Sequence, residues 1–510
     1  MNGVILSGHR QITQQELLGR VAKAASGLQR MGIGEEDAVA IMLRNDFAFF
    51  ESSMAANVLA AHAVPVNWHF QQEEAGYIFR DCAAKAIVAH ADFLPQIDGA
   101  IPDGVELFVV ETPDEIRDTY GIDPALCKVP EGAREWSSWL ESQDLVELPP
   151  PPPPSTMIYT SGTTGNPKGV RRKPMSDENA ETFGAMISQI FGFREGEFRT
   201  AVTGPMYHSA PNAYGLYAAR GGGFCVLQPR FEEEGLLRLI EEHKLTHLHM
   251  VPTMFVRLLK LPDEIKTKYD LSSLEFVVHA AAPCPPDVKR RMIEWWGPVI
   301  NEYYGSTETG GVIFHNAEEA LAKPGTVGRP IEGATVKIYD DEGKELDANE
   351  IGNVYLAMEG FPDFTYNKLD EKRREIEIDG MVTAGDVGYL DDDGFLFLCD
   401  RKNDMVISGG VNIYPAEIEA ALIGMPGVKD CAVFGIPNEE FGEELCAYVE
   451  PEPGESLTDG GVREFLIGKL AKYKVPRRIV FQNDLPREDS GKIFKRKLRA
   501  PYWEDAGRSI

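Results

Sequence analysis

The sequence predicts an α/β protein: a large N-terminal domain of doubly wound sheets, a small β-subdomain and a small α+β C-terminal domain. Three observations predict it. Short apolar runs alternate with segments of helical period through the first part of the chain, the pattern of a parallel sheet covered on both faces. Residues 325–400 are dense in Gly and Asp with short alternating strands, the pattern of an antiparallel sheet. Beyond about residue 401, helices and strands resume in a stretch of small-domain size. At 510 residues the chain exceeds what a single core usually organises.

Taken in order, Leu17, Val21, Ala24 and Leu28 recur at helical spacing over 13–31, and Gly32 and Gly34 stop that helix. A strand at 38–42, a helix at 46–61, a strand at 63–66, a helix at 72–82 and strands at 86–89 and 107–111 follow. Six prolines at 149–154 predict a stiff polyproline II spacer that feeds a buried strand at 156–159. Further on, helices are expected at 181–190, 232–243 and 252–261, with strands at 246–251, 276–279 and 299–304. The β-subdomain includes strands at 335–339 and 352–358. After 401 come a helix at 415–423, strands at 431–436 and 446–451, and a helix at 459–471.

The formal net charge of −29 argues against nucleic-acid and anionic-membrane partners, which require a basic surface. A phosphate-bearing ligand must then find local positive charge at Lys168, Arg401, Lys492 or the cluster at 472–478. The seven cysteines are odd in number, dispersed and without metal-ligand spacing, which fits reduced thiols in a cytoplasmic protein. No signal peptide is read at the N-terminus. The apolar run near 58–66 is broken by His62 and Pro65 and is too short for stable membrane insertion.

The strand at 156–159 runs into Thr160-Ser161-Gly162-Thr163-Thr164-Gly165-Asn166-Pro167-Lys168-Gly169. Its glycines allow positive φ and close approach of a ligand. Loop N–H groups, hydroxyls and one ammonium together suit a polyphosphate. No Gly-Lys-Ser/Thr follows at Walker spacing, and a Gly/Ser/Thr cluster alone also marks an ordinary turn.

Four more stretches accompany this loop: Tyr304-Gly305-Ser306-Thr307-Glu308-Thr309, Gly385-Asp386-Val387-Gly388-Tyr389, Asp400-Arg401-Lys402-Asn403-Asp404 with Ser408-Gly409-Gly410, and Pro486-Arg487-Glu488-Asp489-Ser490-Gly491-Lys492-Ile493. With the loop, and in this order, they resemble the signatures of the adenylate-forming (AMP-binding) superfamily: acyl-CoA synthetases, peptide-synthetase adenylation domains and beetle luciferases. The resemblance covers nearly the whole chain and is nearest the fatty-acid–CoA ligases.

The resemblance implies residue roles. Residues Thr160, Ser161, Gly162, Thr163, Thr164, Gly165 and Lys168 would hold the β- and γ-phosphates of ATP. Ala281 and Ala282 sit where the family has a small-residue turn under adenine, and Tyr304 offers a face to stack on it. Thr307 would bond the α-phosphate and Glu308 would carry Mg²⁺. Asp386 and Arg401 would bind ribose, although Ala384 replaces the usual Thr. His208 would line the active site beside the carboxylate. Lys492 would bridge the acid and the α-phosphate as a compact charge. The boundary falls near 401, dividing an N-terminal AMP-binding domain, 1–400, from a mobile C-terminal lid, 401–510. Asn403 stands at the hinge, where the family usually has Asp or Lys. Gly409 and Gly410 would face the pantetheine channel, and Lys474 a CoA phosphate.

The expected activity is an ATP-dependent acid:CoA ligase of fatty-acid metabolism, using Mg²⁺, ATP and coenzyme A. Small and apolar residues near the expected pocket (Ala210, Ala213, Val251, Gly310, Gly311, Val312) show no charged group to anchor a second polar function, which points to a fatty, aryl or steroid-side-chain acid. Tyr303 is larger than the family's usual residue and narrows that pocket. No carrier domain follows 510, which favours free CoA over carrier-protein phosphopantetheine. A catalytically silent nucleotide- or acyl-binding protein is the rival from another class; joint retention of Lys168, Glu308, Asp386, Arg401 and Lys492 argues against it. Absent kinase and Walker motifs disfavour a simple kinase or ATPase. Assembly as a homodimer stays open.

Overall fold

The strand Ala38–Met42 is buried at every position, so it needs cover on both faces. It pairs in parallel with His62–Pro65 and Ala84–His90, and Glu106–Val110 and Arg134–Glu135 extend the sheet to five strands. In this computed structural model the described residues are 3–145, 156–160, 167–173, 177–194, 196–402, 404–408, 411–438, 440–487 and 493–503. The proline run at 149–154 lies outside them.

A second sheet has nine strands. Its parallel centre runs Phe224–Leu227, Arg199–Val202, His247–Met250, Phe276–His279 and Ile300–Ser306. Gly310–His315 and Arg329–Pro330 close one edge antiparallel. The hairpin Val4–Ser7 and Arg10–Thr13 closes the other. Helices Gln14–Arg30 and Phe47–Val58 fill the space between the sheets. Their Leu17, Val21, Phe49 and Phe50 share one core with Val39 and Val88 of one sheet and Val202 and Leu227 of the other. Helices Glu233–His243, Pro252–Leu259 and Pro286–Trp296 cover the far face of the larger sheet, and Gln72–Asp81 covers that of the smaller. Both sheets are thus doubly wound.

The β-subdomain is a six-stranded sheet. Ala334–Tyr339, Gly352–Met358, Asp386–Leu390 and Leu396–Arg401 pair antiparallel within it. A mixed five-stranded sheet follows, built around the long hairpin Val428–Asn438 and Gly442–Pro451. Helices Pro415–Ile423 and Asp459–Ile467 pack on one side of it and Lys495–Trp503 on the other.

The first helix starts at Gln14 because Thr13 forms a capping box: Thr13 Oγ1 accepts from Glu16 N at 3.2 Å and Thr13 N donates to Glu16 Oε2 at 2.8 Å. The second stops at Val58, short of the expected 61, and Ala60 adopts φ +57° just beyond it. Helix Ser209–Arg220 was not expected, since Pro211 and Gly215 obscure its period. Pro211 falls in the first turn, where its missing N–H costs nothing. Gly215 leaves room for Met206, whose sulfur would lie 2.8 Å from an added Cβ. All seven cysteines are free. Among the described residues, no helix is long and apolar enough to cross a membrane.

Glu51 is 1 % exposed and joins two layers, accepting from Trp136 Nε1 at 2.7 Å and Arg20 Nε at 2.5 Å. Glu51→Ala strands the buried Trp136 Nε1 and leaves Arg20 with Ser137, at 2.8 Å, and is expected to cost about 3 kcal/mol, read as a lowered urea midpoint.

Candidate active site

The strands His247–Met250, Phe276–His279 and Ile300–Ser306 run parallel, and the segments following their C-terminal ends border one cleft of about 2780 Å³. The turn after the last of them is tightly specified. Ser306 Oγ accepts from Glu308 N at 3.1 Å and Thr309 N at 3.2 Å, and Thr309 Oγ1 accepts from Ser306 N at 3.0 Å. Gly305 is required, since an added Cβ would lie 1.8 Å from Gly310 O. The turn presents Thr307 and Glu308 to the cleft. Thr307 Oγ1 donates to Ser209 Oγ at 3.2 Å, and Glu308 Oε1 accepts from Tyr366 OH at 2.9 Å.

Tyr304 OH donates to Asp386 Oδ2 at 2.6 Å, which ties the larger sheet to the β-subdomain. Burial, reinforced by the Asp386 charge, pushes the phenol well above its usual range, so it stays a donor. Arg401 Nε stands 3.4 Å from Asp386 Oδ1.

The strands Ile158–Thr160 and Lys168–Arg172 form a hairpin, and Phe364–Tyr366 adds a third antiparallel strand. This small sheet sets the Lys168 ammonium 5.2 Å from the Tyr366 ring. It also aims Arg172 at the turn. Arg172 donates to Thr307 O, to Glu308 O at 3.3 Å and to Pro362 O at 3.2 Å, and lies 4.2 Å over the Phe361 ring. Burial pushes this guanidinium down to about 10, so it remains charged at neutral pH.

His208 caps helix Ser209–Arg220 and lies 4.3 Å from the Tyr207 ring. Ala281 takes φ +75°, a left-handed conformation that costs a residue with a Cβ on the order of 1 kcal/mol. The cleft gathers Thr160, Lys168, His208, Ala281, Ala282, Tyr304, Thr307, Glu308, Asp386 and Arg401 from stretches far apart in sequence. Lys474 does not line the cleft, but its ammonium lies 2.5 Å from Oε2 of Glu417, which does. Ser161, Gly162, Thr163, Thr164, Gly165, Asn403, Gly409, Gly410 and Lys492 lie outside the described residues. No group of three or more His, Cys, Asp or Glu fit to hold a metal occurs among the described residues.

Helices Asp177–Phe191 and Ser209–Arg220 border the rest of the cleft with Phe183, Ile187, Phe191, Ala213 and Tyr217. Behind them His249 Nε2 meets Tyr303 OH at 3.1 Å. The expectation that no charged group stands by this pocket is corrected: Arg172 and Arg220 both line the cleft. Sequence reasoning also missed Tyr366. None of the three falls in a signature stretch.

The AMP-binding enzyme family profile matches residues 2–360, and the AMP-binding enzyme C-terminal domain matches residues 417–492. YngI, a putative acyl-CoA synthetase of Bacillus subtilis (strain 168), is 31% identical over 504 residues, covering 94% of this chain and 89% of that protein. An indoleacetate–CoA ligase of Aromatoleum aromaticum is 30% identical, with 96% and 93% covered. Among solved structures, ATP-bound MatB from Rhodopseudomonas palustris has a TM-score of 0.84 at 26% identity, covering 99% of this chain and 97% of that one.

Burial pushes His249 down to about 4 from an ordinary 6.5. The unfolded chain therefore takes up this proton first, and stability is full above pH 6.5 and declines as the pH falls toward 4. His249→Gln is expected to lose less stability between pH 7 and pH 5 than the unaltered protein, compared by urea midpoints. Equal losses would show that His249 carries no part of the acid sensitivity.

Proposed function

Because the chain belongs to the AMP-binding enzyme family and is an AMP-forming acid–thiol ligase, we propose that it couples an apolar carboxylic acid to coenzyme A through an acyl-adenylate. The observation that carries this reading is the convergence of Lys168, Tyr304, Glu308, Asp386 and Arg401 on one cleft, part of whose wall is apolar.

In the first step a carboxylate oxygen attacks the α-phosphorus of ATP. The new P–O bond forms as the bond to pyrophosphate breaks, and pyrophosphate leaves. Nucleophile and triphosphate repel each other, so the barrier is one of position and charge. The adenine lies between the Ala281–Ala282 turn and the Tyr304 ring, and Asp386 and Arg401 take the ribose hydroxyls. Thr307 turns its hydroxyl from Ser209 to the α-phosphate. The loop from Thr160 to Gly169 holds the β- and γ-phosphates, with Lys168 as their counter-charge. Glu308 would hold Mg²⁺ through its carboxylate, and the ion would supply positive charge against the triphosphate. Tyr366 fixes the orientation of that carboxylate. Lys492 bridges the acid and the α-phosphate.

In the second step the deprotonated thiol attacks the acyl carbonyl. The C–S bond forms, the C–O bond to AMP breaks, and the thioester and AMP leave. We place the boundary of a mobile lid at residue 401, with Asn403 at the hinge. Turning the lid withdraws Lys492 and brings Gly409 and Gly410 to the thiol's path. Lys474 meets a CoA phosphate only after releasing Glu417. His208 lies beside the reacting carboxylate. The substrate is a fatty, aryl or steroid-side-chain acid, and the enzyme works in the cytoplasm.

The test is thioester formation from ATP and a panel of fatty, aryl and sterol-derived acids. CoA-dependent turnover with one class is expected. Turnover only with a phosphopantetheinyl carrier protein would move the acceptor. ATP binding without turnover would favour a silent binder. Lys492→Ala is expected to slow adenylation by about 10²–10³, while thioester formation from supplied acyl-adenylate persists. Tyr366→Phe is expected to raise the Mg²⁺ needed for half-maximal pyrophosphate release by about tenfold.

A further inference from the structure

On helix Ser209–Arg220 the residues Ser209, Ala213, Leu216 and Arg220 are spaced by four, three and four positions, so they form one stripe. All four line the cleft. The stripe has two distinct ends. Ser209 accepts the Thr307 hydroxyl at 3.2 Å and so marks the proposed reacting centre. Arg220 follows eleven residues later, about 16 Å along the helix axis.

The wall between these ends is apolar. Ala213, Leu216 and Tyr217 form one side, and Phe183 and Ile187 of helix Asp177–Phe191 line the cleft as well. The Phe183 and Tyr217 rings lie 6.1 Å apart. Arg220 is half-buried at the end of this wall. Among the described residues its side chain makes no ion pair or hydrogen bond, in a chain of net charge −29 where acidic partners abound. Arg172 is a contrast, its guanidinium being met by three carbonyls. Burial lowers the pKa of Arg220, the mark of a cation short of compensation. A partly desolvated guanidinium beside an apolar wall is stabilised by a carboxylate, which it binds in fork geometry.

We propose that Arg220 is the distal subsite of the acid pocket, and that the preferred substrate is a long apolar acid with a second carboxylate at its far end. This rests on the ligase reading above. The reacting carboxylate would lie at Thr307 and the second at Arg220, with the apolar body along the helix between them. The helix length then selects among diacids by span.

The experiment compares α,ω-dicarboxylates of increasing length with monocarboxylates of equal length, reading kcat/KM for pyrophosphate release. The unaltered protein is expected to favour the diacid at one matching length by roughly ten- to a hundredfold. Arg220→Leu is expected to bring that ratio to about one, and Arg220→Lys to retain part of it. No diacid preference at any length in the unaltered protein overturns the proposal, even if Arg220→Leu fails to fold. An unchanged ratio in a folded Arg220→Leu also overturns it. No pyrophosphate release with either series overturns this proposal, and no release with any fatty, aryl or sterol-derived acid of the wider panel overturns the ligase reading as well.

Discussion

The candidate site depends on one half-buried cation held by carbonyls. Arg172 extends from the small three-stranded sheet and donates to Thr307 O, Glu308 O and Pro362 O. Those contacts join the hairpin Ile158–Thr160 and Lys168–Arg172 to the turn after Ile300–Ser306 and to the chain before Phe364–Tyr366. Because its partners are backbone oxygens, Arg172 fixes the path of the chain and leaves the Glu308 carboxylate available. Tyr366 then orients that carboxylate from the third strand. Losing a partly buried charge of this kind strands several acceptors together, so its effect would reach all three segments.

A second tie, between Tyr304 and Asp386, fixes the β-subdomain against the larger sheet. The first tie grips the turn itself at Thr307 and Glu308, and the second holds Tyr304 on the strand that leads into it. Together they hold Thr307, Glu308, Tyr304 and Asp386 around one turn. Residues beyond 401 contact the N-terminal part away from this turn, and Ala416 N donates to Asp400 Oδ2 at 2.9 Å. Lys260 Nζ donates to Lys429 O at 2.9 Å and pairs with Glu452, and Lys402 pairs with Asp341 at 2.6 Å. Exposed pairs of this kind contribute little stability.

Strands buried on both faces were legible because they leave unbroken apolar runs, as Ala38–Met42 does. Arg199–Val202 was not, since its place is set by the neighbours on either side rather than by its own pattern. At the site, Tyr304, Thr307, Glu308 and Asp386 stand in recognisable stretches. Arg172 and Tyr366 do not, because their contacts to the turn span 136 and 58 residues and no local spacing encodes them. Arg220 escaped for another reason: its place on the cleft follows only once 209–220 is known to be helical, and Pro211 and Gly215 hide that period.

The central claim is that an acid and ATP exchange pyrophosphate for an acyl-adenylate before any thiol takes part. It is tested most directly by exchange of labelled pyrophosphate into ATP in the absence of CoA. Label should enter ATP only when a suitable acid and Mg²⁺ are both present. Exchange that needs CoA, or no exchange with an acid that is converted to its thioester when CoA is added, would contradict a free adenylate intermediate.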